Sequence, residues 1–325
     1  MTIDGGKALP DGHIRPLDPF RDLDSVVELI NVAFGGRLDP TGEATLARMR
    51  RLARSGPMLK LVWALLGRAT VAPGLVWVMD GRPVGNVSVR RARGREGYLI
   101  GNVVVHPAQR GQGIASALMR QAIRVISRRG APWVGLEVRA DNDRARRLYE
   151  RLGFEEVGRT RHLLRDAGEV HVGPSGRPTA MRRGQPSDAD ELIHLMMAVV
   201  PEAQRPLLEV EAADYHLGWR RRIQHWLRGE DEIWWVIDER GGIAGAVRTL
   251  RKWGAFPNRM EILVQPEASD RFEEDLVKRG VARLGRVARK PIETTVPDAP
   301  TALLAALERE GFRELRVLVQ MKRSL

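Results

Sequence analysis

The 325-residue chain contains no cysteine, which excludes disulfides and thiolate metal sites and leaves the redox compartment open. Aromatic residues make up only 5%, too few for a surface that stacks nucleic-acid bases, and no nucleic-acid-reading motif is visible. Long apolar runs are missing as well. The most apolar stretch, MLKLVWALLGRATVAPGLVWVM (Met58 to Met79), is interrupted by Lys60, Arg68, Pro73 and Gly74, so it does not read as a membrane span. The first residues, MTIDGGKALPDGH, have neither the basic start nor the apolar core of a signal peptide, and a cytoplasmic location is the default expectation. His106, His162 and His171 form no metal-ligand spacing, and no metal is expected.

What the chain does contain is ordinary in bulk and uneven in layout. An apolar fraction of 43% and a charged fraction of 29% fit a soluble globular protein, and the length favours two domains. Residues 1–180 hold 29 Lys and Arg against 18 Asp and Glu, while residues 181–325 hold 24 against 23. Nearly all of the net charge of +12 therefore lies in the first half. A basic half suggests an anionic partner, whether nucleic acid, an acidic surface or a phosphorylated cofactor. With 47 of the 53 basic residues being Arg, genomic base composition is an equal explanation.

The chain also repeats itself. HIRPLDPFRDLDSVVELINVAF reads as a strand, a turn and a helix with Val26, Val27, Leu29, Ile30 and Ala33 buried, and AMRRGQPSDADELIHLMMAVV follows the same plan with Asp188 near the helix start. WVMDGRPVG (Trp77 to Gly85) matches WVIDERGGIAG (Trp235 to Gly245), each a hairpin signal. Pro107 matches Pro266, and Gly153-Phe154 matches Gly311-Phe312, at displacements of 158 or 159 residues. Ordered matches at nearly constant spacing mark a duplicated domain. Residues 1–12 read as a flexible tail, 13–172 as the first copy, 173–180 as a linker and 181–325 as the second copy. Strands and helices alternate in each copy, which is α/β with a mixed sheet. Gly42 to Gly67 reads as an amphipathic helix whose Leu46, Met49 and Leu52 supply a buried stripe.

One turn carries chemistry. YLIGNVVVHP is an apolar strand closed by a proline, and after RGQG the pattern Ile114, Leu118, Ile123 is helical. A strand, a glycine loop and a helix start make an anion site, because free backbone N–H groups and the helix dipole point at whatever binds there. Arg110 adds a fork of donors, so the expected guest is a phosphate or pyrophosphate. No Gly-Lys-Ser/Thr follows, which excludes a Walker A loop. A dinucleotide fold fits poorly too: Ser116 stands at the third glycine position, and roughly a hundred residues precede the motif.

Together with its neighbours the turn resembles the coenzyme A motif of the GNAT superfamily of N-acetyltransferases. Arg110-Gly111-Gln112-Gly113-Ile114-Ala115 meets the pattern, and LEVRADNDRARRLYERLGF (Leu136 to Phe154) looks like the strand, Asn and helix of that family's ribosomal-protein N-terminal acetyltransferase branch. The resemblance covers about residues 13–165 well and the second copy in outline. It implies two tandem acyl-CoA N-acyltransferase domains, each a mixed, largely antiparallel sheet flanked by helices. It also implies acetyl-CoA as co-substrate, held by residues Arg110 to Ser116. The tandem plan resembles that of mycothiol synthase, a family whose acceptor is a small amine and whose working half is the C-terminal one.

Transfer of an acetyl group from a thioester to an amine needs a base, an oxyanion donor and help for the leaving sulfur. Glu137, on the opposite face of its strand from Val134, Leu136 and Val138, is the candidate base; partial burial would raise its pKa. By resemblance, backbone N–H groups of Val103, Val104 and Val105 receive the thioester oxygen, provided their strand is bulged or splayed. The same likeness puts the Tyr149 hydroxyl beside the coenzyme sulfur as its acid and lets Asn142, a helix cap by its own chemistry, bond the pantetheine arm.

In the second copy Ser269, Asp270 and Phe272 stand where Arg110, Gly111 and Gly113 stood, with Glu267, Glu273 and Glu274 adding negative charge. Thr295 replaces Glu137 and Leu307 replaces Tyr149, so that copy is expected to be degenerate. Its sheet is expected to be either short or completed by the other copy. The resemblance implies a small-molecule amine or a peptide N-terminus as acceptor; nucleic acid is disfavoured and no membrane partner is expected. A non-catalytic coenzyme-A-binding regulatory protein is the alternative.

Overall fold

The computed structural model describes residues 3–4, 7–34, 43, 47, 50, 74–93, 96–168, 180–239, 241–287, 290–297 and 301–325. It divides into two units. The first comprises Met1–Val138, Asn142–Glu156 and Gln320–Leu325, and the second comprises Arg139–Asp141 and Val157–Val319. The helix expected between Gly42 and Gly67 and the linker expected at 173–180 lie largely outside the described residues.

In the first unit β1 (Ile3–Asp4) pairs with β2 (Lys7–Ala8). β3 (His13–Pro16) then leads into α1 (Pro19–Phe34). Arg15 sets that helix start by holding Asp22 at 2.5 and 2.7 Å, and Asp22 also accepts from the Asp18 N–H at 2.8 Å. This buried pair holds the Asp22 carboxyl below its ordinary pKa, the guanidinium and backbone bonds outweighing desolvation, which is the largest effect and pushes it upward. Leu23, Val26, Val27, Leu29 and Ile30 pack on Val76, Val78 and Val104, with Ala33 half-buried at the margin.

β4 (Leu75–Met79) turns into β5 (Arg82–Arg91) through Asp80 and Gly81, at φ 49° and 74°. Two successive left-handed residues match the twist of a two-residue hairpin, as Asp-Gly foretells. β6 (Tyr98–Val105), a short 3₁₀ turn (Pro107–Gln109), α2 (Ile114–Ser127), β7 (Trp133–Arg139) and α3 (Asp143–Arg151) follow. The sheet runs β3-β4-β5-β6-β7, antiparallel except for the parallel β6–β7 pair. Gly85 lets α2 lie tightly on it, since a Cβ there would come within 2.9 Å of Ile114 and 3.0 Å of Leu118.

The second unit repeats the order. β8 (Glu155–Arg165) and β9 (Arg182–Arg183) precede α4 (Ala189–Val199), α5 (Arg205–Leu208) and α6 (Trp219–Leu227). β10 (Glu230–Glu239), β11 (Gly242–Lys252), β12 (Asn258–Val264), α7 (Glu273–Val287), β13 (Ile292–Pro297), α8 (Thr301–Arg309) and β14 (Phe312–Ser324) complete it. Arg182 and Asp188 reproduce the Arg15–Asp22 device at 2.7 and 3.0 Å. Period-2 alternation in β10 sorts its residues to two cores. Trp234 and Val236 join the cluster around Leu192 and Leu195, while Trp235 and Ile237 join the one around Leu276 and Leu307. α6 is polar inward: Arg221 bonds Glu232 at 2.7 Å and His225 bonds Glu230 at 2.8 Å, whereas Trp219, Ile223, Trp226 and Leu227 are exposed.

The last strand of each copy is exchanged. β8, which ends the first copy, pairs antiparallel with β13 of the second unit from Ile292↔Arg165 to Pro297↔Thr160. The end of β14 joins the first unit beside β7, where Leu325 N–H bonds the Pro132 carbonyl at 3.1 Å.

Candidate functional site

Beside the glycine turn, β6 and β7 part. Their parallel pairing runs Tyr98↔Val134, Leu99↔Gly135, Ile100↔Leu136 and stops there. A register shift between Asn86 and Ser88 places two residues of β6, Asn102 and Val103, against one of β5, Val87. This bulge bends β6 away from its neighbour. Asn102 takes a left-handed φ of 48°, which Asn tolerates better than most residues. Asn86, fully buried, secures it by donating to the Asn102 carbonyl at 2.9 Å.

The consequence falls on Val103, Val104 and Val105. His106 N–H bonds Val84 O on β5, so by antiparallel alternation Val104 also faces β5 and Val105 turns its N–H and C=O toward the opened side. There the Val105 carbonyl accepts from Arg110 Nε at 3.2 Å. The pairing of β6 with β7 thus ends before Val103, and the bulge beside it rests on the Asn86–Asn102 pair, which has no signature in the sequence.

Gly111 and Gly113 both lie in the left-handed region, at φ 87° and 84°. Gly113 caps α2 without any side-chain bond, and the first helical bond runs from Ala117 N–H to the Gly113 carbonyl. The N–H groups of Ile114, Ala115 and Ser116 therefore have no partner within the helix. Ile114 is buried and anchors the helix start, Gln112 bonds Gln109 at 2.9 Å, and Ser116 accepts from Arg120 at 2.8 Å. Arg110 differs from expectation: its guanidinium holds the Val105 and Ala33 carbonyls, both at 3.2 Å, and so braces the turn. A different cation is at hand, because Arg144 Nη2 lies 3.8 Å from where a Cβ on Gly111 would stand.

Glu137 is exposed, where partial burial was expected, so the fold alone does not withdraw it from water. One of its oxygens, Oε1, accepts from Gln320 Nε2 at 3.2 Å. Tyr149 is 6% exposed, edge-on to Phe154 with ring centroids 6.1 Å apart, and burial pushes its hydroxyl up to about 12. Asn142 caps α3 by accepting from Ala145 N–H at 3.2 Å. His106 Nδ1 accepts from Ala108 N–H at 3.4 Å, His162 sits in the second unit, and His171 lies outside the described residues. Among the described residues no His, Asp and Glu cluster that could hold a metal is present.

The second unit repeats the frame with a different turn. Parallel pairing of β12 with β13 likewise ends after three residue pairs, Asn258 to Met260. β11 and β12 pair in even register from Gly245↔Val264 to Leu250↔Arg259, so β12 has no counterpart of the Asn102 bulge there. Asp270 keeps the left-handed turn at φ 71°, yet the donors are taken. The Glu273 carboxylate, 4% exposed, accepts from Asp270 N–H (3.1 Å), Phe272 N–H (3.2 Å) and Ser269 Oγ (3.2 Å). A resident anion occupies that turn.

Residues 49–154, about a third of the chain, match the Acetyltransferase (GNAT) family. Mycothiol acetyltransferase of Nocardiopsis dassonvillei is 41% identical over 75 residues, covering 23% of this chain and 19% of that protein. The match thus spans about a fifth of that relative's length. Over whole chains the fold is similar to a GCN5-related N-acetyltransferase from Sphaerobacter thermophilus (TM-score 0.69, 18% identity, 98% of this chain and 97% of that one). It is also similar to a tandem GNAT protein from the clavulanic acid biosynthesis pathway (TM-score 0.60, 16% identity, 97% and 98%). The tandem α/β architecture read from the repeats stands.

Proposed function

We propose that the protein is an acetyl-CoA-dependent N-acetyltransferase acting in the cytoplasm, with one active site in the N-terminal copy, residues 13–172. The observation that carries this reading is the opening between β6 and β7 after Ile100, set beside a helix start whose N–H groups no side chain caps. The phosphates of the coenzyme dock at Gly111 to Ser116, where backbone donors and the helix dipole favour negative charge. The pantetheine arm follows the opening, and the thioester oxygen meets the N–H of Val105 as negative charge develops.

The acceptor is a primary amine, on a small molecule or a peptide N-terminus. Its nitrogen attacks the thioester carbonyl carbon directly; the C–N bond forms, the C–S bond breaks, and Glu137 takes the proton released from nitrogen. Tyr149 serves the sulfur in a specific way. A hydroxyl pushed up to about 12 does not surrender its proton to a thiolate whose thiol has a pKa of roughly 8.5. It stays protonated and stabilises the leaving sulfur by donating a hydrogen bond. The Glu273 carboxylate in the second copy's turn supports a stoichiometry of one.

The test combines calorimetric titration with acetyl-CoA and thiol release in the presence of primary amines and peptides with free N-termini. We expect one site and amine-dependent release, lowered about 10²- to 10⁴-fold in Glu137→Gln. Saturable binding without thiol release for any amine would instead identify a non-catalytic coenzyme-binding protein.

A further inference from the structure

Resting on the reading of Glu137 as the base, we infer that Gln320 is its positioning residue, delivered to the N-terminal active site by the last strand of the C-terminal copy. Leu325 bonds Pro132 across the strand pair, and counting back five residues on β14 and forward five on β7 sets Gln320 opposite Glu137. Opposite residues on paired strands share a face. The contact follows: Gln320 Nε2 donates to Glu137 Oε1 at 3.2 Å. Gln320 is 0% exposed, and its amide oxygen is buried with no hydrogen-bond partner among the described residues. Burying an amide with one end unsatisfied forfeits its solvation, so an apolar residue would serve packing better. A side chain kept at that cost, with its donor on the base, is placed for the base.

The repeat supplies an independent control. Displacing Glu137 and Gln320 by 158 residues, forward and back, gives Thr295 and His162, and those two are also opposite each other, on β13 and β8. Thr295 Oγ1 lies 3.5 Å from His162 Nδ1. Both units therefore place a polar side chain from the exchanged strand against the base position. Only the unit with Glu at that position pairs it with a neutral amide. An amide is suited to the task, since it fixes one carboxylate oxygen without carrying a charge that would draw the proton affinity far down.

The experiment uses the full chain with Gln320→Leu, Gln320→Glu and Glu137→Gln. Acetyl-CoA affinity and thermal unfolding are measured first, and we expect Gln320→Leu to bind within about 3-fold of the parent. With an amine that supports thiol release, Gln320→Leu should lower kcat about 10- to 100-fold with the acceptor KM nearly unchanged. It should have no further effect in the Glu137→Gln background. Gln320→Glu, of the same shape, should move the acid limb of the rate profile upward in pH, because two carboxylates then share one site. A carbon-13 titration of the Glu137 carboxyl, assigned by its loss in Glu137→Gln, reads the contact without turnover, and Gln320→Leu should raise its midpoint. A midpoint unmoved in both Gln320 variants, or transfer at the parental kcat in Gln320→Leu, overturns the inference. A shifted midpoint in a protein that acetylates no amine would leave the contact standing and sink the reading of Glu137 as a base.

Discussion

Gly113 is the residue at which the proposed coenzyme site is most sharply exposed to test. It caps α2 at φ 84°, with the free N–H groups of the first turn directly beyond it. Replacing it by Asp does two things. The left-handed backbone costs a side chain about 1 kcal/mol, somewhat less for Asp than for most residues. The new carboxylate also stands about 5 Å from a docked phosphate, and at an effective dielectric near 20 each pair of charges repels by roughly 3 kcal/mol. Affinity for acetyl-CoA should therefore drop about 100-fold or more. Gly113→Ala separates the two effects, since it brings the strain without the charge: its unfolding midpoint should fall at least as far as that of Gly113→Asp, while affinity falls only about 3- to 10-fold. Calorimetry reads the affinities, and urea titration reads the stabilities. If Gly113→Asp bound acetyl-CoA within about 2-fold of the parent protein, the phosphates would not dock at this turn and the functional reading would lose its basis.

Tyr149→Phe should leave acetyl-CoA affinity nearly intact and slow thiol release by about 10- to 100-fold. In the parent, ultraviolet titration should show Tyr149 ionising only near pH 12, whereas an unfolded tyrosine ionises near 10; the stability it contributes is complete below pH 10 and is lost between 10 and 12. His162 behaves in the opposite sense. Burial and Arg259 push it down to about 4, so the unfolded chain binds the extra proton between pH 4 and 6.5, and stability falls by up to roughly 3 kcal/mol as pH drops through that window. His162→Gln should flatten this slope in urea titrations at pH 4.5 and 7. Glu273→Ala, which strands two backbone donors in the second copy's turn, should destabilise the protein by about 1–3 kcal/mol without changing acetyl-CoA stoichiometry. A second binding event there would refute the assignment of a single site to the first copy.

What could be read beforehand was local. The Asp80-Gly81 hairpin, the Asp188 helix start and the glycine turn at 111 and 113 depend on a few neighbouring residues, and each forms from them. The repeat was legible because its matches are ordered along the chain. The bulge at Asn102 was not, since it needs Asn86 from the neighbouring strand, and an Asn inside an apolar strand signals nothing by itself. Arg110 could be placed at the turn but not aimed; only the fold puts the Ala33 carbonyl within its reach. Gln320 lies 183 positions from Glu137 and has no local signature at all. Nor do the patterns of β8 and β14 say which sheet each joins, because each is simply the strand that ends a copy and neither alternates cleanly.

That ambiguity has a functional side. Two copies that each kept their own last strand would fold independently, and one that lost its site could be discarded. Here the residues that close the first unit at β7 come from the end of the chain: Gln320 and Met321 are both buried in it, at 0% and 1% exposure. The strand that flanks β13 in the second unit comes in turn from the first copy, with Leu163 and Leu164 buried there. Deleting the C-terminal copy would thus strip the N-terminal site of an edge strand, leave β7 with unpaired backbone groups and remove the amide that meets Glu137. On the proposed single-site reading, the second copy, with the Glu273 carboxylate in its turn and Thr295 opposite His162, is retained for the strand it supplies.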